Sequence, residues 1–263
     1  MENYLDKNRN SWNKRAELHI GSDFYDVKGF LNGKSSLNSI ELDLLGNIIG
    51  KSVLHLQCHF GQDSISLSRL GAEVTGVDLS DKAVEIAKEL AQKDNSTAKF
   101  ICCDIYNLPN HLNQKFDIVF TSYGTIGWLP DLDKWAKIIS HFLNPNGQFV
   151  FVEFHPFVWM FDDDLNRIAY NYFKDEPIVE VKKSSYTDGK LTEKIEDVSW
   201  NHSLSEVITS LIENGLNIQT LNEFDYSPYG IFAGSVEDEP GKFRVKKFGN
   251  RIPLVYSLTA KPV

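Results

Sequence analysis

The sequence predicts an α/β fold built on a doubly wound, mostly parallel sheet, and two observations predict it. The first is the stretch from Lys51 to Ser80, KSVLHLQCHFGQDSISLSRLGAEVTGVDLS, which reads as strand, loop, helix and strand and finishes on a carboxylate. The second is the alternation beyond it. Short apolar runs and amphipathic stretches of helical period follow one another as far as His155, the pattern of parallel βαβ units.

Within the first unit, Val53-Leu54-His55-Leu56 is a short apolar run bounded by turn chemistry, as a buried strand should be. A tight loop from Gln57 to Gly61 leads into a helix with Ile65, Leu67 and Leu70 in its apolar set, which Gly71-Ala72 ends. Glu73 to Val77 is a second β-rich run, closing on Asp78. A unit of this kind binds nucleotides: the helix N-terminus faces the ligand, and the acid can take both hydroxyls of a ribose. Gly61 stands 17 positions before Asp78, close to the roughly 20-residue separation of such units. A nicotinamide-dependent oxidoreductase shares this logic but requires G-x-G-x-x-G after the first strand, which His59-Phe60-Gly61 does not supply.

The same residues resemble motifs I and II of the class I S-adenosylmethionine-dependent methyltransferases, whose loop reads D/E-x-G-x-G-x-G. The match is to a small-molecule type with a variant HLQCHFG loop. His55 stands at the usual acid, Gln57 and His59 replace the first two glycines, and Gly61 is kept. The resemblance implies a Rossmann-like methyltransferase fold of seven strands with a lid insertion after strand five, and S-adenosyl-L-methionine as cofactor. Glycine is favoured where the backbone turns to positive φ, so the loop is either shaped differently here or decayed. The family order persists downstream, which favours the first reading. The second would make the chain a catalytically silent protein that binds an adenosyl ligand.

The later elements follow in order. Ser80 caps a helix, DKAVEIAKELAQK, with Ala83, Ile86, Ala87 and Leu90 on one face. Lys99 to Cys103 is the next strand and ends on Asp104-Ile105. The resemblance gives Asp104 the adenine amino group and Ile105 the ring, although an N-cap role suits Asp104 as well. Phe116 to Phe120 is a fourth strand, with Thr121-Ser122-Tyr123-Gly124 at its carboxyl end, where open α/β sheets bind ligands. The family's DNA-modifying signatures, Asn/Asp-Pro-Pro-Tyr/Phe and Pro-Cys, are both missing from this tetrapeptide. Asp131 to Phe142 is a helix, Asn144-Pro145-Asn146-Gly147 a turn, and Gln148 to Val152 the fifth strand, leading to Glu153 and His155.

Beyond His155, two runs around Thr187-Asp188-Gly189-Lys190 signal a hairpin. Ser203 with Glu206 starts a capped helix that Gly215 stops. Leu216 to Phe224 and Ile252 to Ala260 supply the last two strands, antiparallel in the resembled family. Tyr226 to Gly249 reads as one long irregular connection. Four regions result: a helical or lid segment over 1–50, the cofactor-binding core over 51–155, a substrate lid over 156–200, and completion of the sheet over 201–263.

Composition narrows the substrate. A net charge of −9 argues against a nucleic-acid partner, since such proteins carry a basic face; KFRVKK, from Lys242 to Lys247, reads as a solvated face. No apolar run approaches the roughly 20 residues of a membrane span, and the polar N-terminus lacks the apolar stretch of a signal peptide. Cys58, Cys102 and Cys103 are odd in number with no C-x-x-C, which points to a reducing cytoplasm and no metal site. Asp131 and Asp133 are helix-start acids. The expected acceptor is a small molecule, and the sequence does not set the oligomeric state.

Methyl transfer needs alignment and exclusion of water; a base is optional. The candidates for chemistry are His155, just past strand five, His202 before the capped helix, and Tyr123. Expected around the cofactor are Trp12 in a closing flap (with Tyr25 as its alternative), Gln57, His59 and Gly61 in the loop, and Asp78 with Leu79. Asp104, Ile105, Thr121 and Ser122 complete that set.

Overall fold

The structure is a computed structural model that describes residues 3–187 and 190–263. The first half builds the parallel part of the sheet: β1 (Ser52–Leu56), β2 (Glu73–Asp78), β3 (Lys99–Cys102), β4 (Phe116–Ser122) and β5 (Leu143–Phe154). Helices α1 (Tyr4–His19), α2 (Val27–Leu31) and α3 (Ser39–Leu45) precede it, and α4 (Gln62–Arg69), α5 (Asp81–Asp94) and α6 (Leu132–Phe142) cross between its strands. A hairpin of β6 (Ile178–Ser184) and β7 (Lys190–Ser199) follows, then α7 (Leu204–Glu213) and β8 (Leu216–Phe224). A second small hairpin, β9 (Ser235–Glu239) with β10 (Lys242–Val245), precedes the last strand, β11 (Val255–Pro262).

The central sheet has seven strands in the order β3-β2-β1-β4-β5-β11-β8. The pairs from β3 to β5 are parallel, and β11 runs antiparallel to both β5 and β8. The chain order reverses at β1, between β2 and β4, and such a switch opens a crevice at the carboxyl ends of the strands. The strands are near-continuous apolar runs because both faces are covered. Trp135, Phe142, Phe149 and Phe151 fill one side with α6, while Phe60, Ile65, Ala87 and Phe100 pack the other under α4 and α5.

Local chemistry accounts for the helix ends. Ser80 caps α5 by accepting from the Ala83 amide, Asp131 caps α6 at Lys134, and Ser203 caps α7 at Glu206. Three sequence expectations change. Leu70 caps α4 with its side chain 44% exposed rather than in the core. Asn144 to Gly147 is absorbed into β5, where the register against β4 jumps between Phe116 and Ile118. The segment Tyr226 to Gly249 is not wholly irregular: it holds the β9–β10 hairpin, pinned by Arg244 to Asp225 and Asp238. Within the basic run, Lys242 is paired with Glu239 and Arg244 with Asp225 and Asp238, while Lys247 donates to the backbone carbonyl of Asp164. Of the turn expected between β6 and β7, Asp188 and Gly189 lie outside the described residues.

Candidate active site and cofactor cavity

A cavity of about 800 Å³ opens beyond the carboxyl ends of β1, β2, β4 and β5, covered by α1 and the β6–β7 hairpin. That volume falls in the upper part of the range for ligand sites.

The loop after β1 is its floor. Gln57 (φ 55°) and His59 (φ 49°) both take the left-handed conformation, and Gly61 (φ 79°) follows them. The loop thus keeps the backbone path of a glycine-rich turn without the first two glycines. Left-handed geometry costs a non-glycine residue about 1–2 kcal/mol, and local hydrogen bonds oppose it. The Gln57 amide donates to the Thr125 carbonyl at 2.8 Å, and the His59 backbone N–H donates to Asp78 Oδ2 at 2.8 Å. His55 is buried and accepts or donates at Ser64 Oγ, 2.8 Å away; burial lowers its pKa to about 3, leaving a neutral ring where the motif has an acid.

Asp78 closes β2. Its Oδ1 accepts from the Ser80 amide at 2.9 Å and its Oδ2 from His59, so each oxygen retains lone-pair capacity toward the cavity. Burial pushes its pKa up to about 6, opposed by these backbone donors. Leu79 lies beside it on the cavity wall. Asp104 and Ile105 also line the cavity; Asp104 caps the 3-10 turn after β3 by accepting from the Tyr106 amide, so it takes the N-cap role while still facing the cavity.

From α1, Trp12 meets the rings of His59 and Trp128 edge-on, each at 5.3 Å between centroids. His59 Nε2 lies 2.9 Å from His19 Nδ1, and His19 Nε2 lies 2.7 Å from Ser185 Oγ in the hairpin loop. The Arg15–Asp197 ion pair, buried on both sides, ties α1 to β7.

The strand-end tetrapeptide divides. Ser122 and Tyr123 line the cavity, whereas Thr121 is buried inside β4 and away from it. Tyr123 (φ 43°) donates its hydroxyl to Glu41 Oε2 at 2.8 Å. Glu153, a candidate for a cationic substrate by position, instead accepts from the backbone amides of Gly124, Thr125, Ile126 and Phe154 and so shapes the adjoining loop. His155 lies off the cavity. Its Nε2 is bound to Glu223 at 2.8 Å and its Nδ1 accepts from the Phe157 amide. His202 reaches the cavity wall, but Nε2 donates to the Leu129 carbonyl at 2.8 Å and Nδ1 faces Glu206 at 3.0 Å. Both histidines are engaged structurally.

Sequence reasoning missed Asp63, in the first turn of α4, and Glu41 of α3. Asp63 accepts from Ser122 Oγ at 3.3 Å, and burial together with the nearby Glu41 pushes its pKa up to about 7. Its position two residues beyond Gly61, at a helix start that faces the ligand, was the available signal.

A methyltransferase-domain family matches residues 53–147. The chain is 26% identical to a ubiquinone biosynthesis O-methyltransferase of Chromobacterium violaceum over 73% of this chain and 77% of that protein. It is 29% identical to the enzyme of the same name from Coxiella burnetii, over 50% of this chain and 57% of that one. Residues 53–147 thus carry a methyltransferase domain, and the chain is similar to S-adenosylmethionine-dependent methyltransferases. Among solved structures, an S-adenosylmethionine-dependent methyltransferase of Mesorhizobium loti shares the fold at a TM-score of 0.58 and 20% identity, covering 88% of this chain and 99% of that one. A complex of DhpI with SAH does so at 0.59 and 16%, covering 100% and 98%.

The residues present fit S-adenosylmethionine. Gln57 Oε1 and His59 Nδ1 are buried polar atoms without hydrogen-bond partners in the loop that meets the cavity, and buried polar groups ordinarily find partners. A ligand with amino, carboxyl and hydroxyl groups would supply them. No helix among the described residues is long and apolar enough to cross a membrane, and no cluster of metal-ligating side chains occurs among them.

Proposed function

We propose that this methyltransferase acts on a small-molecule acceptor in the cytoplasm, with the adenosine of its cofactor held at the β2–β3 end of the cavity. Asp78 takes the ribose hydroxyls, Asp104 accepts from the adenine amino group, and Ile105 and Leu79 pack against the base. Trp12 covers this end, and Gln57, His59, Gly61 and Ser122 surround the methionine part. The observation that carries the reading is Asp78, a carboxylate fixed by two backbone amides at the end of β2 and open to the cavity on its remaining lone pairs.

When bound, the cofactor supplies an electrophilic methyl group on a sulfonium. The chain's share is alignment and exclusion of water. Helix α1 and the β6–β7 hairpin, joined through Arg15–Asp197 and His19–Ser185, act as one cover over the site. Tyr123, oriented by Glu41, borders the acceptor side and positions the acceptor. His202 holds the wall through the Leu129 carbonyl, and His155, off the cavity, ties β5 to β8 through Glu223, so neither is given a proton-transfer role.

Calorimetric titration with S-adenosylmethionine and S-adenosylhomocysteine, with NADH as control, tests the reading. Binding of the adenosyl pair alone, lost on Asp78→Ala, supports it. Full retention of affinity in that variant would remove Asp78 from the ribose.

A further inference from the structure

Past the cofactor loop the cavity wall turns aromatic. Phe24 lies 5.0 Å from Tyr25, 5.6 Å from Tyr186 and 5.6 Å from Tyr229 between ring centroids, and Tyr229 lies 5.1 Å from Tyr123. These rings come from separate stretches of the chain: the turn before α2, the hairpin loop, the segment after β8 and the end of β4. Asp63 joins them from the first turn of α4, and all six residues line the one cavity.

The charges on that wall are unevenly matched. Arg15 is paired with Asp197, Lys34 with Asp26, and Lys182 with Glu180 and Asp163. Asp63 has no cationic partner among the described residues. It is held only by hydroxyls, those of Ser122 and Ser36. Burying a carboxylate without a countercharge is costly, and the nearby Glu41 adds to that cost. Aromatic rings on the wall beside a carboxyl with no cationic partner favour a cation with apolar substituents, because both the ring quadrupoles and the charge attract it. A carboxylate or phosphate ligand would be repelled by the ionised Asp63, whereas a bound cation would draw that carboxyl, its pKa raised to about 7, into the ionised form.

We propose that this chamber binds an organic ammonium group, so that the acceptor is an amine-bearing small molecule held by Asp63 and the faces of Phe24, Tyr25, Tyr123, Tyr186 and Tyr229. The inference rests on the methyl-transfer reading above for calling that molecule the acceptor; the chamber itself does not.

The test is a calorimetric titration of the protein saturated with S-adenosylhomocysteine, using choline and its uncharged isostere 3,3-dimethylbutan-1-ol. Choline should bind about tenfold more tightly than the alcohol. Asp63→Asn should abolish most of that preference while leaving the alcohol unchanged. Tyr229→Leu, a second variant that leaves the carboxylate in place, should weaken choline several-fold. Equal binding of the two probes, or choline affinity unchanged in both variants, overturns the proposal. So does choline competing with S-adenosylhomocysteine but not with 5′-methylthioadenosine, which would give the chamber to the amino-acid end of the cofactor. If the wild-type protein binds no S-adenosylhomocysteine, the cofactor assignment fails separately, and the same pair of probes on the free protein still decides the chamber.

Discussion

Asp78 joins two demands in one side chain. It closes the cofactor loop through the His59 amide and presents a carboxylate to the cavity. Asp78→Ala is expected to weaken S-adenosylhomocysteine binding by about 1.5–3 kcal/mol, the scale of charge-assisted hydrogen bonds. Its acidity adds a pH signature. With the folded pKa raised to about 6 by burial, hydroxyl donors favour the ionised form, so affinity should fall as pH drops through 6. Linkage has the opposite sign for the free protein. A folded pKa above the unfolded value gives stability that is present below about pH 4 and lost as pH rises through 6. Thermal melts of wild type and Asp78→Asn across pH 4–7 check this, because the variant should lack that slope. The place of Asp78 on the cavity was legible from the strand-end acid alone. That of Asp63 was not, because a carboxylate in a helix's first turn reads as a dipole-complementing surface acid until the fold turns it toward a cavity.

At the scale of elements, the cofactor loop is fixed from both ends. Gly61 is confined by more than its φ of 79°: a Cβ there would stand 2.6 Å from the Phe100 ring. Gly61→Ala should cost about 2–4 kcal/mol, combining the left-handed penalty with overpacking. A urea midpoint measurement reads the loss. The glycine positions at Gln57 and His59 show why the motif was only partly readable. Sequence reports the residue, whereas the backbone path is secured by Thr125 and Asp78, one distant in the chain and one in the next strand. The same limit applies to Glu153 and His155. Their place at the end of β5 was legible, but not that Glu153 binds the amides after β4, nor that His155 faces Glu223 of β8. The β9–β10 hairpin was missed because its pairing rests on Arg244, whose partners include Asp225 outside the hairpin.

Across the whole molecule, the strand and helix periods carried the sheet. The parallel crossovers follow from the sequence alternation, whereas the strand order and the place of its reversal at β1 are set by packing that the alternation does not encode. The cover over the site depends on contacts between residues nearly 190 positions apart, which no local pattern encodes. Arg15 and Asp197 are the centre of that contact, with Asn8 exchanging two hydrogen bonds with the Val198 backbone. Arg15→Ala leaves Asp197 buried and unpaired, so it should cost about 3–5 kcal/mol. Hydrogen exchange should then quicken in β7 before the central sheet, whereas uniform exchange throughout would show that α1 and the hairpin do not act as a unit. On the proposed reading, a loop lacking two glycines still holds the adenosyl cofactor through Asp78. The measurement that tests it most directly is a calorimetric titration of wild type and Asp78→Ala with S-adenosylhomocysteine. Saturable one-to-one binding to the wild type is expected, weakened at least tenfold in the variant, a factor worth about 1.4 kcal/mol. Equal binding by both proteins, or none by the wild type, would contradict that reading.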